Sequence, residues 1–434
     1  MKRQLLTRLG ILSLLAACLL PRSAANLEKT PADLAPAAMH HIEKLAGLGG
    51  REAGSKNEAK ALAYIDKELN GMGLKTRREY FRFSAYALQT MRLSISGRGV
   101  IPEFAAFDVY DVPSGVSGMA VFIDPQAPRE ELFKLDLTDK IAVSASPANR
   151  FDLAFRKPKA VIFLKPDDFQ TLKETSGQTA ELQVRGQVKK KNSANLVAVL
   201  PATSLAAKRI VVSAHYDATR GPGASDNASG VAIMIEIARY FREKRLAPAC
   251  QLEFVALGAE EVGMVGSRIF VAEHGRDLAD CELLFNIDTV GGGGAIYIEM
   301  RGGVQGISAH KGESQIPPGL AGKAETDSGG RWGWLQPQLL APLMASCVPD
   351  WLKQEIKAAA AELGYAFTPS NYMGSDHLVF AQAGIPATNI AVSGSEVHGP
   401  ADTPDKISLQ SLEKAAAIVI RVVEKTMARI ASGN

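Results

Sequence analysis

The sequence predicts an α/β protein: a three-layer αβα body on a central mixed, mostly parallel sheet, with a smaller β-rich domain inserted in it. Three observations predict this. From "ANLVAVLPA" (194–202) onward, short apolar runs alternate with amphipathic runs at helical spacing, the pattern of a layered α/β sheet. Residues 85–190 instead carry short β-like runs ("MRLSISG", "GMAVFID", "KIAVSAS", "KAVIFLK") separated by Pro, Gly and Asp turns. Finally, 434 residues that are 46% hydrophobic and 22% charged supply core for one large domain plus an insertion. The division expected is a leader at 1–25, a body formed by 26–84 and 193–434, and the insert at 85–192.

The leader comes first in the chain. "MKRQLLTR" is a charged start, "LGILSLLAACLL" a short apolar run, and "PRSAA" ends in small residues suited to cleavage after Ala25. The apolar run is too short to span a bilayer, and no other segment looks transmembrane. Leu15-Ala16-Ala17-Cys18 also fits a lipoprotein signal, which makes a lipid anchor at Cys18 the alternative to cleavage at Ala25. Either way the chain is expected outside the cytoplasm, periplasmic, secreted or membrane-anchored. The formal charge of +3 falls to −1 once Lys2, Arg3, Arg8 and Arg22 are set aside with the leader. That balance gives no electrostatic case for nucleic acid. Lys189-Lys190-Lys191, the only basic run, reads as a solvated linker.

Residues 33–74 read as two helices around a glycine turn, the second, "NEAKALAYIDKELNGMG", stopping at Gly71 and Gly73. "GGREAGSK" (49–56) has phosphate-loop spacing, but Ser55-Lys56 reverses the required order and the stretch follows a helix, so it is set aside. In the body, "KRIVVSAH", "QLEFVALGA", "LLFNIDTV" and "ATNIAVSG" read as strands. "GVAIMIEIARYFREK", "EIKAAAAELG" and "SLQSLEKAAAIVIRVVEKTMARIA" read as helices. Cys250 and Cys281 each precede a strand, so a disulfide at one sheet edge and three buried thiols (with Cys347) are both open. No CxxC is present, which argues against a thiolate zinc site or a redox motif. Residues 301–346, rich in Gly and Pro and carrying Trp332 and Trp334, read as a long loop: a lid beside the site, or a surface excursion.

Polar residues gather at the carboxyl ends of those strands. His215 and Asp217 end the first, Glu260 and Glu261 follow the second, Asp288 ends the third, and His398 lies in the loop after the fourth. In open α/β sheets ligands bind at that edge, and a mixture of imidazole and carboxylate suits borderline divalent cations. Each residue also has a plainer reading. Asp226, before "NASGVAIM", taken alone is an N-cap, and the paired glutamates are acids favoured in a first helical turn. "GGGG" (291–294) is not a nucleotide loop, because "AIYIEM" continues as a strand. His274 and His310 are assigned nothing. Asp288 resists the plain reading, since a carboxylate following "LLFNI" is buried at a cost without a partner. The joint placement at four strand ends points to a metal site.

These residues resemble peptidase family M28, the co-catalytic zinc aminopeptidases and related exopeptidases. "AHYD", "GASDNASG", "EEVGMVGS", "NIDTVG", "SDHLVFAQAGIP" and "HGPADTPDKI" follow the family's order and approximate spacing, and "LAGLGGREAGSKNEAKALAYI" extends the likeness to the N-terminal helices. The resemblance implies two zinc ions per chain: His215 and Asp288 on one, Glu261 and His398 on the other, and Asp226 bridging both while also capping the helix. It implies Glu260 as general base for a water the zincs activate, Asp217 as the acid orienting His215, and Tyr372 in "YMGSD" as oxyanion donor. Some relatives place that tyrosine just before the last histidine, where this chain has Val397. Asp376 and His377 match the motif without an assigned role. Residues 85–190 resemble a protease-associated insert. The implied activity is removal of N-terminal residues from peptides. Within the same fold, a carboxypeptidase or dipeptidase acting on small peptides is the alternative, although no arginine is evidently dedicated to a substrate carboxylate. A glutaminyl cyclase departs from "DNASG" and uses one zinc. A non-catalytic binding protein on this fold loses ligands or the base, and this chain has lost neither.

Overall fold

Leu34–Ala46 and Lys56–Gly71 form the two expected helices. The second starts where Ser55 Oγ accepts the Glu58 N–H at 3.1 Å and ends as Gly73, at φ +79°, turns the chain into the sheet. The computed structural model describes residues 34–106, 112–146, 158–202, 208–244, 250–275, 277–301, 348–370 and 373–433, with Leu153 and Arg156. The leader, Cys18, Tyr372, Cys347 and all but Arg301 of the 301–346 loop lie outside those residues.

Thirteen strands among the described residues join one sheet. In chain order they are β1 (Lys75–Ile95), β2 (Arg98–Val100), β3 (Phe104–Ala106), β4 (Val112–Phe122), β5 (Ile141–Ser144), β6 (Ala160–Phe163), β7 (Thr179–Leu200), β8 (Arg209–His215), β9 (Gln251–Leu257), β10 (Cys281–Ile287), β11 (Ile296–Glu299), β12 (Thr368–Ser370) and β13 (Ala387–Val392). The strands β13, β10, β8 and β9 lie side by side and parallel, with Ile287 opposite Ile390, Ser213 opposite Asn286, and His215 opposite Leu257. Flanking pairs are antiparallel: β11 against β13, and β7 against β9. The sheet is mixed, parallel at its centre.

Alternation along the central strands builds the layers. Ile210, Val212 and Ala214 of β8, with Leu252, Phe254 and Ala256 of β9, face one core beneath the helices 34–46, 56–71, 230–243, 350–363 and 409–432. Val211, Val255, Leu257 and Leu284 face the other, packed with Phe270 and Val271 of helix Val265–His274 and Phe380 of helix His377–Gln382. Helices on both faces of a parallel centre bury both surfaces of its strands, which explains their unbroken apolar runs.

The long strands β1 and β7 pair antiparallel from Lys75↔Val199 to Ile95↔Ala180, with one register shift between Leu88 and Thr90. They reach a second apolar cluster that includes Leu93, Ile95, Ile141, Val143, Ile162 and Leu182. The basic run 189–191 is therefore strand, paired with 83–85, and not a linker; Lys191 Nζ donates to the Ala53 carbonyl at 2.8 Å. Cys250 and Cys281 are free and buried. Strand β8 stands between the strands they precede and begin, so no sheet edge brings them together. Burial pushes both thiols up to about 12, which leaves them unreactive.

Candidate metal centre

Because β8, β9, β10 and β13 are parallel, their carboxyl ends fall on one edge, and the chain leaves each with a polar residue. His215 closes β8, and its Nε2 lies 3.3 Å from both Asp226 Oδ1 and Asp288 Oδ1. His398 Nε2 lies 2.8 Å from Asp226 Oδ2 and 3.4 Å from Glu261 Oε2. Two groups result, His215–Asp226–Asp288 and Asp226–Glu261–His398, each with its ligand atoms within 4.8 Å of one another. Asp226 belongs to both and turns one oxygen to each. All five residues named from the sequence as metal ligands are brought together.

Asp217 sits behind them, fully buried. Its Oδ1 and Oδ2 accept the N–H groups of Glu260 and Glu261 at 3.0 and 3.1 Å, and its Oδ1 lies 3.5 Å from His215 Nδ1. One carboxylate thus fixes the turn carrying both glutamates and faces the rear of the imidazole. Glu260 joins neither ligand group.

The electrostatics show what such a cluster needs. Burial opposes charge on His215, but Asp288, Asp217 and Asp226 outweigh it and raise its pKa well above the ordinary value. Burial likewise works against ionised Asp226, and contacts from His215 and His398 overcome it, holding the carboxyl far below its usual range. For the glutamates the histidines pull the same way but are outweighed. Burial, reinforced by Asp226, pushes Glu261 up to about 8, and burial with Asp376 nearby raises Glu260 well above 4.5. Glu261 Oε1 is buried without a hydrogen-bond partner. A divalent cation among these acids would favour their ionised forms, and imidazole nitrogen with carboxylate oxygen is a donor set for zinc. The residues fit the metal.

Four supports were not found in the sequence. Asp402, within the quoted "HGPADTPDKI", accepts the N–H groups of Ser225 and Asp226 at 2.7 and 3.0 Å. Arg51, fully buried, donates to the carbonyls of Tyr216, Leu45, Pro222 and Gly223, pinning the loop between Asp217 and Asp226. Burial lowers its pKa to about 10, so it stays charged beside Asp217 and Asp226. Asn227, not Asp226, turns its side chain to the start of helix Gly230–Glu243: its Oδ1 accepts the Gly230 N–H at 2.9 Å, leaving the Asp226 carboxylate to the histidines. Asp376 and His377 are buried; burial pushes the acid up to about 7 and the imidazole down to about 3.

The fourth support, Glu58, gives a stability prediction. Its carboxylate accepts from Gly54 N–H and Ser193 Oγ, and burial, with Asp217 nearby, raises its pKa from 4.5 to about 7. Between those values the native state binds more protons than the unfolded chain, so this residue's stabilisation is complete below pH 4.5 and lost as pH rises through 7. Glu58→Gln, always neutral, escapes the loss. Urea denaturation should find it level with wild type near pH 4.5 and more stable at pH 8, by at most about 3 kcal/mol. Equal stability at both pH values contradicts the assignment.

Away from the edge, Glu79, Glu273 and His274 form one more group of suitable atoms. There Arg77 and His274 already share Glu79 Oε1, which answers its charge without a metal.

The fold and this edge together define an α/β protein with a candidate metal centre at the carboxyl ends of its parallel strands, and comparison with known proteins adds the family. The model for peptidase family M28 matches residues 195–315 and 337–423. Aminopeptidase YwaD of Bacillus subtilis is 26% identical over 274 residues, covering 61% of this chain and 50% of that protein. The probable lipoprotein aminopeptidase LpqL of Mycobacterium tuberculosis is 24% identical over 330 residues, 67% of this chain and 66% of that protein. The solved structure of BSAP, a zinc aminopeptidase from Bacillus subtilis, superposes with a TM-score of 0.61 at 21% identity, over 90% of this chain and 94% of that one. The family-model match places residues 195–315 and 337–423 of the chain in peptidase family M28. The chain's match spans about half the length of the YwaD protein.

Proposed function

We propose that this protein is an exported zinc aminopeptidase holding two ions. The observation that carries the reading is the shared Asp226, whose two oxygens serve two adjacent donor groups. His215 and Asp288 would hold one zinc, Glu261 and His398 the other, and Asp226 both. Zinc in such a site supplies Lewis acidity that polarises a peptide carbonyl and makes water a better nucleophile at neutral pH.

The protein groups do the rest. The Glu260 carboxylate takes the proton of the attacking water and delivers it to the nitrogen of the departing amine. Asp217 holds Glu260 and Glu261 in place through their N–H groups and orients His215 from behind. Tyr372, from the family resemblance, is assigned the hydrogen bond to the developing oxyanion. Residues 85–192 are kept as the insert. The leader motif and the lipoprotein relative support export, with cleavage at Ala25 and lipidation at Cys18 separable by the mass of the mature N-terminus.

The choice of substrate end follows from charge. A peptide's α-ammonium beside the cations needs carboxylates to offset them, and Glu260 and Asp288 are the nearest candidates. Acetylating a dipeptide's N-terminus removes that charge, so kcat/KM should fall by about 10²-fold, about 2.7 kcal/mol of transition-state binding. Equal rates on the free and acetylated dipeptides rule out the aminopeptidase and put the carboxypeptidase first.

A further inference from the structure

Thr289 follows Asp288 directly and takes φ +59°. A β-branched residue rarely occupies the left-handed region, where glycine is the ordinary occupant. Its neighbours hold it there. The Thr289 N–H donates to Asn227 Oδ1 at 3.2 Å, and its carbonyl accepts the Val392 N–H at 2.8 Å. Asn227 also donates through Nδ2 to the Ile287 carbonyl at 2.9 Å, so one amide ties the turn after β10 to the turn carrying Asp226.

That conformation has one chemical result. It folds the Thr289 hydroxyl back onto the preceding carboxylate, where Oγ1 donates to Asp288 Oδ1 at 2.9 Å. The same oxygen lies 3.3 Å from His215 Nε2. Strained backbone persists only where surrounding structure enforces it, and it gathers where a side chain is being aimed. Here the hydroxyl occupies one lone pair of Oδ1 and fixes the rotation of the carboxylate relative to His215.

We propose that Thr289 is a positioning residue of the metal centre: its hydroxyl locks the Asp288 oxygen facing His215, at the expense of an unfavourable backbone conformation. The inference rests on the reading of Asp288 as a zinc ligand. A glycine at 289 would suit the backbone and lose the lock; a serine would keep it; a valine would keep the shape alone.

The test compares Thr289→Val, Thr289→Ser and Thr289→Gly with Asp288→Asn in the full chain, stripped of metal. Zinc is titrated against a chromophoric chelator, and the Tm of the metal-free protein is measured. Valine and glycine should weaken one zinc site by about 10–100-fold, while serine restores it to near the wild-type affinity. The metal-free Tm should not fall with glycine, because relief of the left-handed strain offsets the looser chain. A purely structural residue gives the opposite pairing: glycine then lowers the metal-free Tm along with zinc binding, which overturns the proposal. Valine binding zinc like wild type while Asp288→Asn weakens it also overturns the proposal, and leaves Asp288 a ligand. Unchanged binding in Asp288→Asn removes the ligand reading itself.

Discussion

Glu260→Gln should retain its zinc and lose kcat by about 10²–10⁴-fold, the usual weight of a positioned general base. The residue lies outside both ligand groups, so exchanging its carboxylate for an amide takes no donor from the metals. Its backbone is held by Asp217 Oδ1 through the N–H, a contact the substitution does not touch. What disappears is the acceptor for the water's proton. The neighbouring change has the opposite signature. Glu261 turns Oε2 toward His398 and belongs to the second group, so Glu261→Gln should weaken zinc binding before it affects any chemical step. Elemental analysis beside steady-state kinetics separates the two. Reversed phenotypes would mean that the paired glutamates are assigned the wrong way round.

Asp226→Asn should affect both ions at once. One oxygen stands 3.3 Å from His215 and the other 2.8 Å from His398, and among the described residues Asp226 alone belongs to both groups. Removing one partner of a buried charge pair costs about 3–5 kcal/mol, which corresponds to roughly 10²–10⁴-fold in affinity. Ligands that bind only the native state raise its Tm in proportion to RT ln(1 + [L]/Kd). The zinc-dependent rise in Tm should therefore nearly vanish in Asp226→Asn, where single-group variants such as His398→Gln keep part of it. A full zinc-induced shift in Asp226→Asn contradicts the shared carboxylate.

Much of this site is legible in the sequence. Parallel strands deliver their carboxyl ends to one edge, so residues at strand ends (His215, Asp288, and the pair after β9) had to meet, whatever their separation in sequence. Asp226 taken alone reads as a helix cap and becomes a ligand only through the family resemblance. Asn227 is the residue whose side chain meets the helix start: Asn and Asp cap equally well, and the sequence does not say which of the two faces the helix. Arg51 and Asp402 were invisible for a different reason. Both act on backbone groups more than 150 residues away, and carbonyl or N–H partners leave no pattern in the side chains. The lysines at 189–191 misled because the β1–β7 ladder exposes much of its length, so charge there says nothing about pairing. Arg51 also shows why "GGREAGSK" failed as a phosphate loop yet still mattered: its work is structural support of the metal-site loop.

The account turns on cations held by His215, Asp226, Glu261, Asp288 and His398. The direct measurement is zinc content per chain, followed with peptide hydrolysis, as a chelated sample is titrated back with Zn²⁺. The five ligands predict about two ions bound per chain, with hydrolysis absent from the stripped protein and restored as the sites fill. Hydrolysis persisting in a sample shown to be metal-free, or a folded chain that takes up no zinc, would contradict it.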